Sequence, residues 1–240
     1  MAAADNLTLE KNLSWQMFDR ISGRYDLLNH ILSWGMDILW RRRMRQLLPS
    51  RDNLMLLDLA TGTGDVLISL AGRNPRVKGA LGIDLSENML AVGRQKIHDL
   101  GYADRIQLIT GDAMKLHFEN AVFDVTSIAF GIRNMPNPVT TLMEMYRVTR
   151  PGGVAMVLEF SLPDNFILAG LHRTYLRCMV PLIGGLLTGQ WKAYRYLNRT
   201  IEKFPYGEQF ANMMKQVGFG KVSVYPLLFG TATIYRGEKA

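Results

Sequence analysis

The chain has 240 residues, 48% of them apolar and 20% charged, with a net charge of +7. That length suits one α/β domain with an insertion, or two small lobes, and it can bury a core without staples. The single cysteine, Cys178, excludes a disulfide framework, a zinc cluster and a dithiol redox pair, and fits a cytoplasmic setting.

The opening MAAADNLTLEKN lacks the basic start and apolar core of a signal peptide, so residues 1–11 read as a loose tail. No apolar run reaches the roughly 18 residues of a membrane span. Trp15, Phe18 and Ile21 then recur at helical spacing as far as an interruption at Gly23. Tyr25–Leu32 and Met36–Leu48 read as two further helical pieces, with Gly35 between them. Arg41, Arg42, Arg43 and Arg45 follow Trp40; they make either a solvated helix face or a patch for an anionic partner. Pro49 and Asp52-Asn53 mark a boundary, giving an N-terminal helical cap over 1–49 and a larger domain over 50–240.

The larger domain opens on Leu54–Asp65. An apolar run ends at Asp58, Ala60-Thr61-Gly62-Thr63-Gly64-Asp65 follows, and Val66, Leu67, Leu70 and Ala71 begin a helical pattern. This is a buried strand, a glycine turn and a helix start, which offers free N–H groups and a positive dipole end. It is not a dinucleotide fingerprint, because Leu67 stands where the third glycine belongs. It is not a P-loop, because the lysine is missing. Asp58 and Asp65 would repel a pyrophosphate and suit a ligand with a positive centre. S-adenosylmethionine, with its sulfonium and α-ammonium, has that charge; an ordinary strand–helix turn is the alternative.

Strands and helices then alternate. Val77–Asp84 predicts a second strand, with Ser86 capping the helix that carries Met89, Leu90 and Ile97. Ile106–Ile109 and Val122–Phe130 predict strands three and four, and Val139–Val148 a helix. Arg150-Pro151-Gly152-Gly153 predicts a sharp turn before a fifth strand, Val154–Phe160. The rhythm predicts a mainly parallel sheet covered on both faces. Residues 163–205 break it, with an apolar, glycine-rich piece at Met179–Leu187, and read as an inserted helix pair or a lid. A helix at Tyr206–Val217 and an antiparallel hairpin of Lys221–Leu228 and Thr231–Arg236 complete a seven-stranded sheet.

Ligands of such sheets bind beyond the carboxyl ends of the strands. Asp84 lies there, 20 residues beyond Gly64, where a carboxylate can take both ribose hydroxyls. Asp112-Ala113 ends the third strand, where a carboxylate can receive an adenine amino group. In this order and at these ends, the features make an S-adenosylmethionine site.

At this point the sequence resembles the UbiE/MenG family, the C-methyltransferases of ubiquinone and menaquinone synthesis, from about Phe18 to Arg236. Phe18-Asp19-Arg20-Ile21, Tyr25-Asp26-Leu27-Leu28-Asn29 and Ser33…Trp40 look like its N-terminal signature. Leu57–Asp65 resembles its cofactor motif and Phe130-Gly131-Ile132-Arg133-Asn134 its fourth-strand motif. Arg147-Val148…Pro151-Gly152-Gly153…Leu158-Glu159-Phe160-Ser161 and Tyr194-Arg195-Tyr196-Leu197 resemble two more. The resemblance implies a Rossmann-like class I methyltransferase fold. It implies cofactor contacts from Asp58, Gly62, Thr63, Gly64, Asp84, Leu85, Asp112, Ala113 and Ala129. The last replaces the family's usual serine and leaves only backbone contact. Asp37 stands where the first signature usually has histidine, Thr149-Arg150 replaces an aliphatic-Lys pair, and Asn198 replaces a common proline.

The implied reaction is methyl transfer to a ring carbon of a polyprenylated quinol, a naphthoquinol or a methoxy-benzoquinol. The sulfonium is already a strong electrophile, so the reaction calls for no metal. The ring becomes nucleophilic when a hydroxyl loses its proton, which needs a group to stabilise the phenolate and a proton acceptor. Arg133 and Asn134 are the catalytic candidates, with Arg133 acting on the phenolate or on a water. The alternative pairs Arg133 with a backbone carbonyl or with Glu159. Tyr25, Asp26, Tyr194, Arg195 and Tyr196 are candidates to cover the site, the aromatic ones by sandwiching the ring. The prenyl tail would sit in lipid, with Arg41–Arg45 holding the enzyme peripherally at the inner membrane face. A nucleic-acid methyltransferase is the rival of another class. Its base-methylating motif, Asn/Asp-Pro-Pro-aromatic, is replaced here by Arg133-Asn134-Met135-Pro136, so no nucleic-acid partner is expected. A non-catalytic cofactor-binding module is a third reading. The sequence leaves homo-oligomerisation open.

Overall fold

The structure, a computed structural model, describes residue 11 and residues 13–240. The tail expected over residues 1–11 lies, but for Lys11, outside the described residues. Leu54–Leu59 (β1), Val77–Asp84 (β2), Ile106–Thr110 (β3), Phe123–Ala129 (β4), Thr149–Phe160 (β5), Lys221–Leu227 (β6) and Ala232–Glu238 (β7) form one seven-stranded sheet. Its order is β3-β2-β1-β4-β5-β7-β6. β1 to β5 run parallel, and β7 enters antiparallel between β5 and the edge strand β6. Leu54, Leu56, Leu57 and Leu59 of β1 are all wholly buried. Helices cover both faces, which is why this strand reads as an apolar run rather than an alternation.

Met36–Gln46 (α2), Asp65–Ala71 (α3) and Glu87–Asp99 (α4) close one face, through Met44, Leu67, Leu70 and Leu90. Pro138–Val148 (α5) and Glu208–Val217 (α9) close the other, through Leu142, Met145, Phe210 and Met214. The chain winds outward from β1 to β3 on one side and from β4 on the other. The crevice beyond β1 and β4 is therefore the switch point where such sheets bind ligands.

Two expectations are corrected. Gly23 does not interrupt the N-terminal helices: Ser14–Leu32 is one helix, α1. Asp19 accepts hydrogen bonds from the Ser86 hydroxyl (2.6 Å) and Asn88 Nδ2 (2.7 Å). Asp26 accepts from the Thr63 hydroxyl (2.6 Å) and Lys96 Nζ (2.5 Å). These bonds lie on either side of Gly23 and outweigh the roughly 1 kcal/mol that a mid-helix glycine costs. Arg150–Gly153 is not a turn ahead of the fifth strand but a bulge inside it. The β4–β5 register steps from Phe123↔Thr149 to Val125↔Val154. Gly152 takes φ +72 there and donates its N–H to the Lys239 carbonyl at 2.8 Å.

The segment after β5 folds as Phe166–Thr174 (α6), a π turn at Tyr175–Met179, Val180–Thr188 (α7) and Trp191–Lys203 (α8). The glycines of the apolar piece let α8 lie close on α7. A Cβ at Gly184 or Gly185 would come within 2.4 Å of the Tyr194 or Trp191 ring. Leu176, Val180, Tyr194 and Ile201 of this segment pack with Leu28 of α1 in a satellite core.

Candidate active site

Beyond the carboxyl ends of β1 to β4 lies a cavity of about 240 Å³. Its wall includes Gly62, Asp84, Leu85, Asp112, Ala113, Ala129 and Asn134, with Trp15, Phe18 and Tyr25 from α1. A second cavity of about 240 Å³ adjoins it, lined mainly by apolar side chains that include Leu28, Trp40, Phe160 and Leu176. Phe18, Tyr25 and Phe130 line both. The two chambers thus meet at one aromatic wall.

Backbone geometry builds that wall. Ala60 (φ 49) and Phe130 (φ 55), just past β1 and β4, hold left-handed conformations that cost non-glycine residues energy. Gly131 has to be glycine, since a Cβ there would lie 2.8 Å from that of Ala60. The strand ends are pinched together, and the Phe130 ring lies 4.5 Å from Phe160 and 5.7 Å from Trp40 between centroids.

Asp84 accepts the Gly62 and Ser86 N–H groups, each at 2.9 Å, and burial raises its pKa. The Leu85 backbone N–H also bonds this carboxylate, which keeps acceptor capacity for a ribose hydroxyl. Ser86 caps α4 as expected, its hydroxyl accepting from the Met89 N–H. Asp112 fixes the Met114 N–H at 2.8 Å and borders the same cavity. The chamber therefore has carboxylates, a glycine turn and exposed backbone at strand ends. That donor and acceptor set fits a cationic nucleoside such as S-adenosylmethionine.

Three residues expected at the cofactor, and the Asp65 carboxylate of the same turn, face elsewhere. Asp58 is 1% exposed and lies beneath the turn, accepting from the hydroxyls of Ser127 (2.6 Å) and Thr61 (2.7 Å). Burial pushes its pKa to about 7 against those two bonds, and the Asp84 charge adds to the rise. Its register partner is Ser127, so its side chain braces β1 to β4 rather than lining the cavity. Thr63 turns its hydroxyl to Asp26 on α1. Gly64, at φ +79, packs against Ile97 and Leu108. Asp65 pairs with Lys96 (2.6 Å) and Arg41 (3.2 Å), so its charge is already met.

Arg133 is 3% exposed, lies on the wall of the apolar chamber, and pairs with Glu159 at 2.7 Å and with the Phe130 carbonyl. Burial raises the Glu159 pKa while the Arg133 charge opposes that rise. The alternative pairing weighed from sequence is thus present, and Arg133 still borders the chamber with Nε buried and unpartnered. The next residue, Asn134, faces the other cavity; its Nδ2 reaches the Phe130 carbonyl at 3.4 Å and its Oδ1 is buried without a partner. Burial raises the Tyr25 pKa, so its phenol stays protonated on the shared wall.

Of the Tyr194-Arg195-Tyr196 run only Tyr194 lines the chamber; Arg195 and Tyr196 line a separate groove with Arg20 and Arg177. Successive helical residues turn about 100°, so a run of three cannot all face the chamber. Asp37 lines the chamber and is held by Ser33 (2.8 Å) and Arg41 (2.6 Å). Burial pushes its pKa up, and these bonds bring it below the usual carboxylate range. Sequence reasoning missed His172. It lines the apolar chamber, its Nε2 is buried without a partner, and burial lowers its pKa. Its signal was the spacing His172, Leu176, Val180, an inward helical stripe with one polar member.

The chain matches the ubiE/COQ5 methyltransferase family model over residues 7–239. It belongs to that family. It is 41% identical over 224 residues to the ubiquinone/menaquinone biosynthesis C-methyltransferase UbiE of Geotalea daltonii, covering 93% of this chain and 95% of that one. It is 40% identical over 223 residues to the demethylmenaquinone methyltransferase of Thermus thermophilus, covering 93% of this chain and all of that one. Among solved structures, an S-adenosylmethionine-dependent methyltransferase from Thermotoga maritima aligns with a TM-score of 0.65 at 17% identity, covering 94% of this chain and 100% of that one. That last likeness is one of fold. The family and its relatives make this chain an S-adenosylmethionine-dependent methyltransferase.

Proposed function

We propose that the chain transfers a methyl group from S-adenosylmethionine to a ring carbon of a polyprenylated naphthoquinol, converting demethylmenaquinol to menaquinol. The observation that carries this reading is the pair of chambers joined at Phe18, Tyr25 and Phe130. One sets the carboxylates of Asp84 and Asp112 and exposed strand-end backbone among apolar side chains; the other is apolar, aromatic and of a size for a fused ring.

When bound, the cofactor supplies an electrophilic methyl carried on a sulfonium. In this reading Asp84 receives a ribose hydroxyl, Asp112 the adenine amino group, and Leu85 and Ala113 pack against the base. Gly62 and Ala129 offer backbone. Asn134, with a buried unspent carbonyl, borders the donor side of the wall. Across it, Tyr25, Phe160 and Tyr194 hold the ring and exclude water. Arg133, fixed by Glu159, stabilises the negative charge that develops on the ring oxygen in a site of low dielectric. His172 takes the hydroxyl proton: burial keeps it neutral, and Nε2 has nothing else to bind. The methylated ring carbon then releases its proton to solvent, which restores the aromatic ring, and His172 returns its proton to the ring oxygen.

A second reading keeps the chemistry and exchanges the ring for a methoxy-benzoquinol. Relatives at 41% and 40% identity carry both kinds of name, which supports it. An assay with labelled cofactor and both quinols tests the choice. Label in the naphthoquinone alone is expected; label in the benzoquinone alone would replace the ring, and label in neither would overturn the reading.

A further inference from the structure

The helical segment over the apolar chamber has an outer face that the reaction does not use. Ala169, Leu176 and Val180 point inward and are buried. On the other side Phe166 is 82% exposed, Ile167 57%, Leu171 64%, Leu182 47% and Leu186 70%. From Asn165 to Ile201 the sequence has five cations, Arg173, Arg177, Lys192, Arg195 and Arg199, and no carboxylate, although the chain holds 21 in all. Asp164 and Glu202 bound this window, and Glu202 pairs with Arg177 at 2.6 Å; Arg173, exposed two residues past Leu171, stands beside the apolar stripe. An apolar helix face edged by basic residues is the signature of a helix lying in an anionic lipid interface.

The chamber's mouth continues this face. Trp34 and Leu228 line the chamber yet are 78% and 42% exposed, and Phe229 beside Leu228 is 78% exposed. The turn holding them touches the foot of α6: a Cβ at Gly230 would lie 3.2 Å from Pro163 Cα. Tyr175 ties the π turn to the end of α1 by donating to the Leu32 carbonyl at 2.8 Å. The cluster Arg41–Arg45, expected to face the membrane, is partly spent within the fold. Arg41 pairs with Asp37 and Asp65, and Arg43 donates to Gln46 and stands over the Tyr225 ring.

We propose that the outer face of α6–α7, with the Trp34–Phe229 rim, docks the protein on an anionic phospholipid bilayer. The ring enters the chamber from the rim while the prenyl tail stays in lipid; this purpose rests on the chamber reading above, and the docking itself does not. Co-sedimentation of the full-length protein with phosphatidylcholine vesicles, with and without phosphatidylglycerol, tests it. At least tenfold stronger binding to the phosphatidylglycerol vesicles is expected. Leu171→Glu with Leu186→Glu should lower it at least tenfold, at an unchanged thermal midpoint and with unchanged turnover of a short-tailed quinol in solution. Wild-type protein that ignores anionic vesicles, or a double variant that binds them as well as wild type, overturns the proposal. So does a wild-type dimer that the double variant turns to monomer, which would make the face a surface between copies. Vesicle binding without methylation of any embedded quinol leaves docking standing and removes the chamber reading; methylation in solution without vesicle binding does the reverse.

Discussion

At the residue scale, three side chains divide the chemistry, and each predicts a different loss. Asp84→Asn removes a charge and half the acceptor capacity facing the cofactor cavity. A charged hydrogen bond contributes about 1.5–3 kcal/mol, so cofactor affinity by calorimetry should fall roughly tenfold to a hundredfold. Unchanged affinity would remove Asp84 from the ribose. His172→Gln keeps a polar group but loses the base; turnover should drop by about 10²–10⁴ while cofactor affinity holds. Wild-type turnover should decline as pH falls through the lowered His172 pKa, below its usual value of about 6.5, because the imidazolium cannot accept a proton. That acid limb should vanish in the variant; its persistence would move the proton elsewhere. Arg133→Ala is a harsher change than its position suggests, since it strands Glu159 at 1% exposure. Breaking such a pair costs about 3–5 kcal/mol. Adding Glu159→Gln should restore most of the thermal midpoint and leave the turnover loss. Restored turnover in the double variant would show that Arg133 serves folding alone.

At the scale of elements, α1 decides how the chambers are roofed. Nothing lies within 4 Å of a Cβ built at Gly23, and the glycine is helical. Gly23→Ala should therefore stabilise the protein by roughly 0.5–1 kcal/mol, read as a rise in denaturation midpoint. A fall would mean that the helix needs the bend the glycine allows. The same glycine shows what sequence conceals. Local propensity predicted an interruption, but Asp19 and Asp26 are bonded to residues 67 and 37 positions or more away, beyond any local window. Strands β1 and β4 and the later part of β5 were legible because burial on both faces leaves long apolar runs, while the edge strand β3 alternates between buried and exposed residues. Asp84 and Asp112 were legible because topology puts strand ends on one rim. The directions of Asp58 and Thr63 were not, since a motif fixes the backbone and leaves each hydroxyl or carboxylate to whichever neighbour is nearer. His172 was hidden for another reason. Its helix reads as apolar packing, and only tertiary structure shows that the packing has a hollow.

At the scale of the whole molecule, the donor chamber is built on carboxyl groups that folding removes from water, so stability itself should depend on pH in an unusual direction. Asp58 is the measurable case. Its ordinary pKa is 3.8 and burial raises it to about 7 in the folded protein. A raised folded pKa contributes stability that is complete below the unfolded value. That stability is lost as pH climbs toward 7, because the unfolded chain releases the proton first. Between pH 4 and 7 the loss is on the order of 4 kcal/mol, and Asp84 acts in the same sense. Asp37, Glu144 and Glu202, whose pKa values are lowered, act in the opposite sense at acid pH, so the raw profile mixes both. Asp58→Asn separates them. It changes the Thr61 and Ser127 bonds by an amount that does not vary with pH, and it deletes the titration. The stability of wild type minus that of the variant, from urea denaturation, should therefore fall steadily from pH 4 to 7 and level off above. A difference that stays flat would mean that Asp58 is ionised throughout, held by its two hydroxyl donors. A cationic ligand beside Asp84 should favour the ionised forms, so the midpoint gain on adding S-adenosylmethionine should be larger at pH 8 than at pH 5.5.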